Sequence, residues 1–449
     1  MSTKLAKITE KARQDRKIRF TSLAHLITPA FLQETWGMMN RKGASGVDGE
    51  TTAQFEANLK ERTEDLWRRL RQNRYQAPPV RRVDIPKGNG KTRPLGIPTV
   101  EDRLVQRAVA RIVETIFEQD FLEFSYGFRP GRNPHMALKA LRSCIVTKKV
   151  RHVFEADIRG YFNHINHEWL MKMVEQRIAD PAILHLIGKW LRAGVMQNGV
   201  VTRNEEGTPQ DGPISPLLAN IYLHYVLDLW FEKRCKKCFQ GEGYLIRFAD
   251  DYVACFEYKR DAENFQTLLN ERMKKFGLEL AEEKTRLMIF GRFARERKAE
   301  FGERPESFDF LGFKHVCGVG QKGEFALIRI PSVKSCRKFT ERVGAWLKLH
   351  SHWKRRDQQK QLTRMLRGFY QYFSLYHCDY KLHSLKRQIE RQWIRSLRRR
   401  SQRHRMYWSY LKSRDWFRLP EPKLLHPTIN EYPVNDSGEP DAGNPHVGF

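Results

Sequence analysis

The sequence predicts an α+β fold: a small antiparallel sheet with acidic residues at its strand ends, followed by a basic, all-helical region. Three observations predict it. Residues 244–256 place two apolar runs, rich in aromatic and β-branched residues, on either side of Asp250-Asp251, which is the pattern of a β-hairpin with carboxylates at its turn. Residues 153–158 are a second strand-like run that also brings an acid, Asp157, after apolar residues. From about residue 331 the periodicity becomes helical and the charge one-sided, with 14 Lys or Arg against 3 Asp or Glu in residues 351–400.

Taken in order, residues 1–40 read as helical, basic at first (Lys11, Arg13, Arg16, Lys17, Arg19) and more apolar towards Trp36 and Met39. Glycines at 43, 46 and 49 make a loop, and a helix is expected over residues 52–71 with Phe55, Leu59, Leu66 and Leu70 on one side. Pro78-Pro79 ends it. Gly90-Lys91-Thr92 suggests a phosphate-binding P-loop, but that motif needs glycine where Ile85 stands, and Pro94 opposes a helix directly after the loop. A two-stranded ribbon turning at Gly88-Asn89-Gly90 fits better, with Lys87 and Arg93 on its arms. It is either a solvated basic hairpin or a clamp on phosphates, suited to a point-charge Lys and a forked Arg. Residues 102–117 form an amphipathic helix, and residues 125–132 a turn-rich loop carrying Arg129 and Arg132.

Beyond Asp157, residues 160–163 reverse the chain into a helix from about His167. Residues 207–216 are a loop with two glycines in which Ser215 and Pro216 are expected as N-cap and first-turn residue of a helix, apolar nearly all round, that runs to about Phe231. Another amphipathic helix is expected over 261–276 and a strand pair with a turn over 308–313. The basic region carries two apolar stripes, Leu362, Met365, Leu366, Phe369, Phe373 and Leu382, Leu385, Ile389, Trp393, Leu397. Residues 419–449, rich in Pro, Gly and Asn, are expected to be poorly ordered.

At 449 residues the chain has room for two or three domains. Its net charge of +29, from 81 basic and 52 acidic residues, implies a polyanionic partner, nucleic acid first and an acidic membrane surface second. The membrane reading is the weaker, since no apolar run approaches the ~18–20 residues that span a bilayer. With charges from Lys4 onward there is no secretory signal either, so a cytoplasmic, prokaryotic setting is expected. Seven cysteines show no disulfide-like regularity; Cys235 and Cys238 have zinc-ligand spacing, but no second pair completes a site, and no zinc is expected.

An Asp-Asp pair in a hairpin is also ordinary turn chemistry. The second acid-ended strand favours more: two such strands side by side converge Asp157, Asp250 and Asp251 on one spot. Like charges that close repel unless a cation lies between them. Hard oxygen donors suit Mg²⁺, which keeps waters and substrate phosphates in its shell. The implied chemistry is two-metal phosphoryl or nucleotidyl transfer, with ions roughly 4 Å apart. Phe162, five residues past Asp157, either stands over what the metals hold or packs in the core.

The ordered set Arg93-Pro-Leu-Gly-Ile-Pro98, Tyr126-Gly-Phe-Arg-Pro-Gly131, Asp157-Ile-Arg-Gly-Tyr-Phe162, Gly207-Thr-Pro-Gln210, Ser215-Pro-Leu-Leu-Ala-Asn-Ile-Tyr222, Phe248-Ala-Asp-Asp251 and Phe310-Leu-Gly-Phe313 resembles the group II intron-encoded reverse transcriptases, or maturases, over residues 20–415. The resemblance implies a right-hand polymerase: an N-terminal extension and start of the fingers over 1–75, fingers over 76–150, and a palm over 151–320 with a fingers-type insertion around 165–205. It further implies an all-α thumb, the maturase domain X, over 321–416, and a tail over 417–449 with no endonuclease domain. Asp157, Asp250 and Asp251 match the Mg²⁺-binding triad, Lys87 and Arg93 the triphosphate contacts, Phe162 the steric gate against a 2′-OH, and Gln210 the residue beside the incoming nucleotide. Lys284 falls where a lysine helps protonate the leaving pyrophosphate. Phe310, Leu311, Gly312 and Phe313 resemble the primer grip, and Arg364, Arg367, Lys386, Arg387, Arg391 and Arg395 lie on the helices implied to bind intron RNA. Three residues depart from the pattern: Asp211 for a usual Gly, Asn163 where Asp is frequent, and Phe248 where Tyr is frequent.

The expected function is therefore RNA-templated DNA synthesis coupled to binding, splicing and mobility of a group II intron RNA. The expected partners are intron RNA, template–primer duplex, dNTPs and target DNA. A free-standing or defence- or repair-associated reverse transcriptase, and a splicing cofactor that works by binding alone, are the rival readings.

Overall fold

The computed structural model describes residues 3–88, 91–197, 200–202, 212–294, 305–320, 323–400 and 414–426. In chain order its principal elements are α1 (Thr3–Gln14), α2 (Pro29–Gly37), α3 (Thr52–Ala57), α4 (Leu59–Arg71), β1 (Val80–Gly88), β2 (Lys91–Ile97), α5 (Val100–Phe117), α6 (Pro134–Thr147) and β3 (His152–Ala156). There follow α7 (His167–Val174), α8 (Pro181–Arg192), β4 (Val195–Gln197), β5 (Val200–Thr202), α9 (Ser215–Leu223), α10 (Lys236–Cys238), β6 (Gly243–Phe248), β7 (Asp251–Phe256) and α11 (Lys259–Lys275). The chain then forms β8 (Arg286–Ile289), β9 (Ser307–Phe310), β10 (Phe313–Val319), β11 (Phe325–Pro331), α12 (Val333–Leu349), α13 (Arg355–Phe373) and α14 (Asp379–Arg398).

Several helix boundaries differ from the sequence reading. The helix expected over 52–71 is two helices, because Asn58 between them adopts φ −120°, ψ 33°; a short amide side chain that competes for nearby backbone groups is a poor helix-interior residue. Ser215 is the first residue of α9 and not its cap: Ile214 precedes the helix, with no side-chain cap bond, and Pro216 sits in the first turn. The helix continues beyond Phe231 through two π-helical segments (His224–Asp228 and Phe231–Cys235) as far as α10.

The central sheet has the order β6-β7-β3-β8, antiparallel throughout. Alternation along its strands serves two cores. Phe154, Leu245, Tyr252, Ala254 and Phe256 join one cluster with α5, α9 and α11, while Val153, Ile246, Val253, Cys255 and Met288 join another with α6 and the C-terminal helices. Period-2 side-chain direction makes this strand set the middle layer of the molecule. The expected ribbon is present as antiparallel β1 and β2, and β1 also pairs in parallel with β4. A third sheet, β11-β10-β9, supports α12 to α14. Both apolar stripes of the basic helices face inward: every named residue is buried except Met365, which is half-buried against the same core.

Residues 417–426 are not the loose start of a tail. Phe417 stacks on Trp393 with ring centroids 4.9 Å apart, Tyr370 donates to the Pro420 carbonyl at 3.4 Å, and Ser374 donates to the Lys423 carbonyl. The aromatic and leucine side chains among the prolines supply the apolar contacts that hold the segment. The rest of the stretch expected to be poorly ordered, from residue 427, lies outside the described residues.

The start of α5 is pinned by a buried acid. Asp102 is 1% exposed and accepts from the Tyr75 hydroxyl, Trp190 Nε1 at 2.8 Å and Gln106 Nε2 at 2.9 Å. Desolvation pushes its carboxyl up to about 6 against those hydrogen bonds. The folded chain therefore binds a proton that the unfolded chain does not between about pH 4 and 6, and the stability due to this group falls as pH rises through that window. Asp102→Asn is expected to flatten that slope: wild type should lose melting temperature relative to the variant between pH 4.5 and 7. Parallel melting curves would contradict the assignment.

Candidate active site

Register brings the predicted carboxylates together. β3 pairs with β7 so that Ala156 faces Tyr252, which sets Asp157, the next residue, beside Asp251, and Phe248 pairs with Asp251 across a two-residue turn of Ala249 and Asp250. Asp157 and Asp251 share the sheet parity of Glu155. Asp251 remains accessible to water, yet atoms crowd its base; desolvation first, then the charges of Asp250 and Asp157, push its carboxyl up to about 6. Lys284, on the short 3₁₀ turn Glu282–Lys284, donates from Nζ to Asp157 Oδ2, and this bond is the main cause of its raised pKa.

Among the described residues no three His, Cys, Asp or Glu form a ready metal cage. The donor set still fits Mg²⁺, which binds through one or two carboxylates and completes its shell with water and phosphate oxygens. A cluster of like charges that pushes Asp251 up and draws an ammonium onto Asp157 is a site with a surplus of negative charge to offer a cation.

The turn is held by a residue that the sequence reading passed over. Arg247 is 0% exposed and points away from the acids into a network. Its guanidinium grips Asp228 at 2.7 and 2.5 Å and reaches Ser125 Oγ at 2.7 Å, Asn220 Oδ1 at 3.1 Å and the Ala249 carbonyl at 2.8 Å. A charged residue in the middle of an apolar strand was the available signal, since a buried guanidinium needs a partner. Ala249 has φ 58°, a conformation costing of order 1–3 kcal/mol for a residue with a Cβ. Behind it Gly127 packs so closely that a Cβ there would lie 2.2 Å from the Ala249 nitrogen, and Asn220 Nδ2 donates to the Gly127 carbonyl at 2.6 Å. The 125–132 loop is thus a brace for the hairpin, closed by Arg129, which pairs with Glu118 at 2.7 Å and donates to the Leu122 and Ser125 carbonyls.

Phe162 sits on a 3₁₀ turn (Tyr161–Asn163), half-buried and edge-on to Tyr161 at 5.4 Å, while Tyr161 donates to the Ala219 carbonyl at 2.5 Å. Lys87 and Arg93 are on β1 and β2, Arg93 opposite Ile85 in the register; their side chains lie outside what is described. Gln210 and Asp211 lie outside the described residues.

The four residues likened to a primer grip divide in two. Phe310 and Phe313 are 3% and 0% exposed and belong to the core, because they face inward at the ends of β9 and β10. Only Leu311 and Gly312, the turn between them with φ 49° and 79°, reach the surface. Tyr372 donates to the Leu311 carbonyl at 2.9 Å and Ser335 Oγ to the Gly312 carbonyl at 3.0 Å, so α12 and α13 fix that turn.

Of the six basic residues likened to RNA contacts, Arg364, Arg367, Arg387, Arg391 and Arg395 are exposed. Arg387, Arg391 and Arg395 line one groove of about 460 Å³ with Ser384, Gln388 and Gln392. Lys386 does something else: it is 12% exposed and pairs with Glu390 at 3.5 Å and with Glu421, tying the 417–426 segment to α14. Its partner lies 35 residues away, beyond the reach of any local pattern.

The family comparison agrees with this geometry. Residues 85–315 match the model of the family described as reverse transcriptase (RNA-dependent DNA polymerase). The chain is 32% identical over 364 residues to Protein YkfC of Escherichia coli (strain K12), covering 76% of this chain and 95% of that protein. It is 36% identical over 289 residues to the group II intron-encoded protein LtrA of Lactococcus lactis subsp. cremoris, covering 63% of this chain and 47% of LtrA. It is also 30% identical over 95 residues to Nuclear intron maturase 1, mitochondrial, of Arabidopsis thaliana, 21% of this chain and 13% of that one.

The chain belongs to the reverse transcriptase family and is an RNA-directed DNA polymerase with the right-hand polymerase fold that this family implies. Its relatives include group II intron-encoded proteins, and it spans about half the length of LtrA.

Proposed function

We propose that Asp157, Asp250 and Asp251 are the carboxylates with which this reverse transcriptase extends a DNA primer on an RNA template, and that its basic C-terminal helices hold a group II intron RNA whose splicing and mobility it serves. The observation that carries the first half is the register that sets Asp157 beside Asp251 with Asp250 in the adjoining turn. These carboxylates would hold Mg²⁺, which when bound would supply charge stabilisation of the attacking and leaving oxygens in phosphoryl transfer. Lys284, whose Nζ donates to Asp157, stands where an ammonium would offer a proton to the departing pyrophosphate. Phe162 closes the floor beneath the sugar and discriminates against a 2′-OH. Lys87, Arg93 and Gln210 contact the incoming nucleotide, and the Leu311-Gly312 turn meets the primer through its backbone.

In this reading the β1–β2 ribbon with α5 and α6 forms the fingers, the central sheet the palm, and α12 to α14 the thumb. The partners are intron RNA, template–primer duplex, dNTPs and target DNA, in the cytoplasm of a prokaryote and associated with its nucleoid. The net charge of +29 supports a large phosphate-contacting surface. Replacing Arg387, Arg391 and Arg395 together by alanine is expected to weaken RNA binding and to lower the slope of log affinity on log salt by about two. Lys386→Ala should leave both unchanged. Filter binding between roughly 50 and 200 mM salt separates the two outcomes.

The intron half is tested by purifying the protein from its host at moderate salt and sequencing the RNA that accompanies it. One dominant long species that splices faster when the protein is returned supports the maturase role. A diffuse mixture of cellular RNA would rule it out and leave a reverse transcriptase working outside an intron.

A further inference from the structure

The N-terminal segment, the end of α4 and the face of α8 enclose a cavity of about 410 Å³, whose lining includes none of the three carboxylates. Its walls are apolar or aromatic, among them Ile27, Trp67, Leu70 and Leu186, and its polar members include Arg71, Asn73, His25 and Lys189. None of its lining residues is acidic. That volume is within the ~300–1,000 Å³ of small-ligand sites and far too small for a duplex.

Hydrogen bonds hold the walls of the cavity together. Asp180 accepts from the Leu23 and Ala24 N–H groups at 2.5 and 2.8 Å and from the Ala182 and Ile183 N–H groups at 2.9 and 3.2 Å, so one buried carboxylate fixes the 23–28 segment onto the start of α8. Lys189 Nζ donates to the Tyr75 carbonyl at 2.5 Å, and the Tyr75 hydroxyl is held by Asp102. Arg71 is exposed and its guanidinium lies 5.3 Å from the centre of the Trp67 ring. An apolar slot with an indole in its wall and cations at its rim is the chemistry of a base stacked on an aromatic with its phosphate beside Arg or Lys.

We propose that this cavity takes one unstacked nucleotide of a single-stranded RNA, at a site distinct from the polymerase centre. The base enters the slot against Trp67 and its phosphate meets Arg71. This goes beyond the intron reading and does not depend on it, because any single-stranded RNA would serve as ligand.

The test uses the full-length protein and a fifteen-nucleotide single-stranded RNA carrying one 5-iodouridine, with a DNA of the same sequence as the second arm. Irradiation followed by peptide mapping should find a cross-link on the peptides holding Trp67 or His25. Trp67→Ala should lower that cross-link by about tenfold or more. Arg71→Ala should weaken binding and reduce its salt slope by about one. Because Trp67 also packs on the core, a second variant fills the slot without removing packing: Ala182→Trp, at an exposed position on α8, should abolish the same cross-link. Primer extension on a separate primed template should be unchanged in all three, which distinguishes failure here from failure of the polymerase assignment. Cross-links confined to the palm or the C-terminal helices would overturn the proposal. So would an unchanged yield in Ala182→Trp, or a stronger cross-link to DNA than to RNA.

Discussion

Asp250→Asn is expected to reduce RNA-templated primer extension by at least about 10³-fold while leaving RNA affinity and melting temperature close to those of wild type. The substitution keeps the shape of the side chain in the hairpin turn and removes its charge. Losing a carboxylate that binds the catalytic cation removes several kcal/mol of transition-state stabilisation, and each ~1.4 kcal/mol is a factor of ten in rate. The turn backbone is held by Arg247 through the Ala249 carbonyl at 2.8 Å, a contact that the substitution leaves in place. Extension of a labelled primer by the two proteins, with Mg²⁺ varied, measures the effect. Activity within tenfold of wild type would show that Asp250 does not hold the cation. If splicing assistance persists in this variant, RNA binding and polymerisation are separable functions of one chain; if both are lost, the triad also organises the RNA-bound state.

The parts of this site that the sequence revealed are those encoded locally. The hairpin was legible because alternation over 244–256 has period two and acids favour turns. Asp157 was legible because it follows an apolar strand, and the register then sets it beside Asp251. What escaped was chosen by tertiary contacts. Lys386 reads as one more cation on a basic helix until Glu421 comes to meet it. Phe310 and Phe313 match the primer-grip motif, but antiparallel pairing turns both inward. The break at Asn58 shows the reverse case, in which a local preference interrupts a periodicity that continues across it.

Removing Asp228 should produce the largest loss of stability in the molecule. Asp228 and Arg247 are each 0% exposed and joined by two bonds of 2.7 and 2.5 Å. Deleting one partner of a buried pair leaves the other charge without compensation, a loss of about 3–5 kcal/mol. At roughly 2–4 °C per kcal/mol for a domain of this size, Asp228→Ala should lower the melting temperature by on the order of 10 °C. Burial raises the Asp228 pKa, and the charge and hydrogen bonds of Arg247 oppose that rise. The network also reaches the proposed catalytic turn: the same guanidinium holds the Ala249 carbonyl, Ser125 and Asn220, and Ala249 is the strained residue before Asp250. Freed of Asp228, the guanidinium can swing away and let the turn relax from its left-handed conformation, moving Asp250. Below its melting transition Asp228→Ala should therefore need more Mg²⁺ for half-maximal extension than wild type. A purely structural role would lower the melting temperature and leave that Mg²⁺ requirement unchanged. Asp228→Asn, which keeps a hydrogen-bond acceptor towards Arg247, should recover part of both. If Asp228→Ala melts within 2 °C of wild type, Arg247 must find an alternative partner, and the brace on the catalytic turn lies elsewhere.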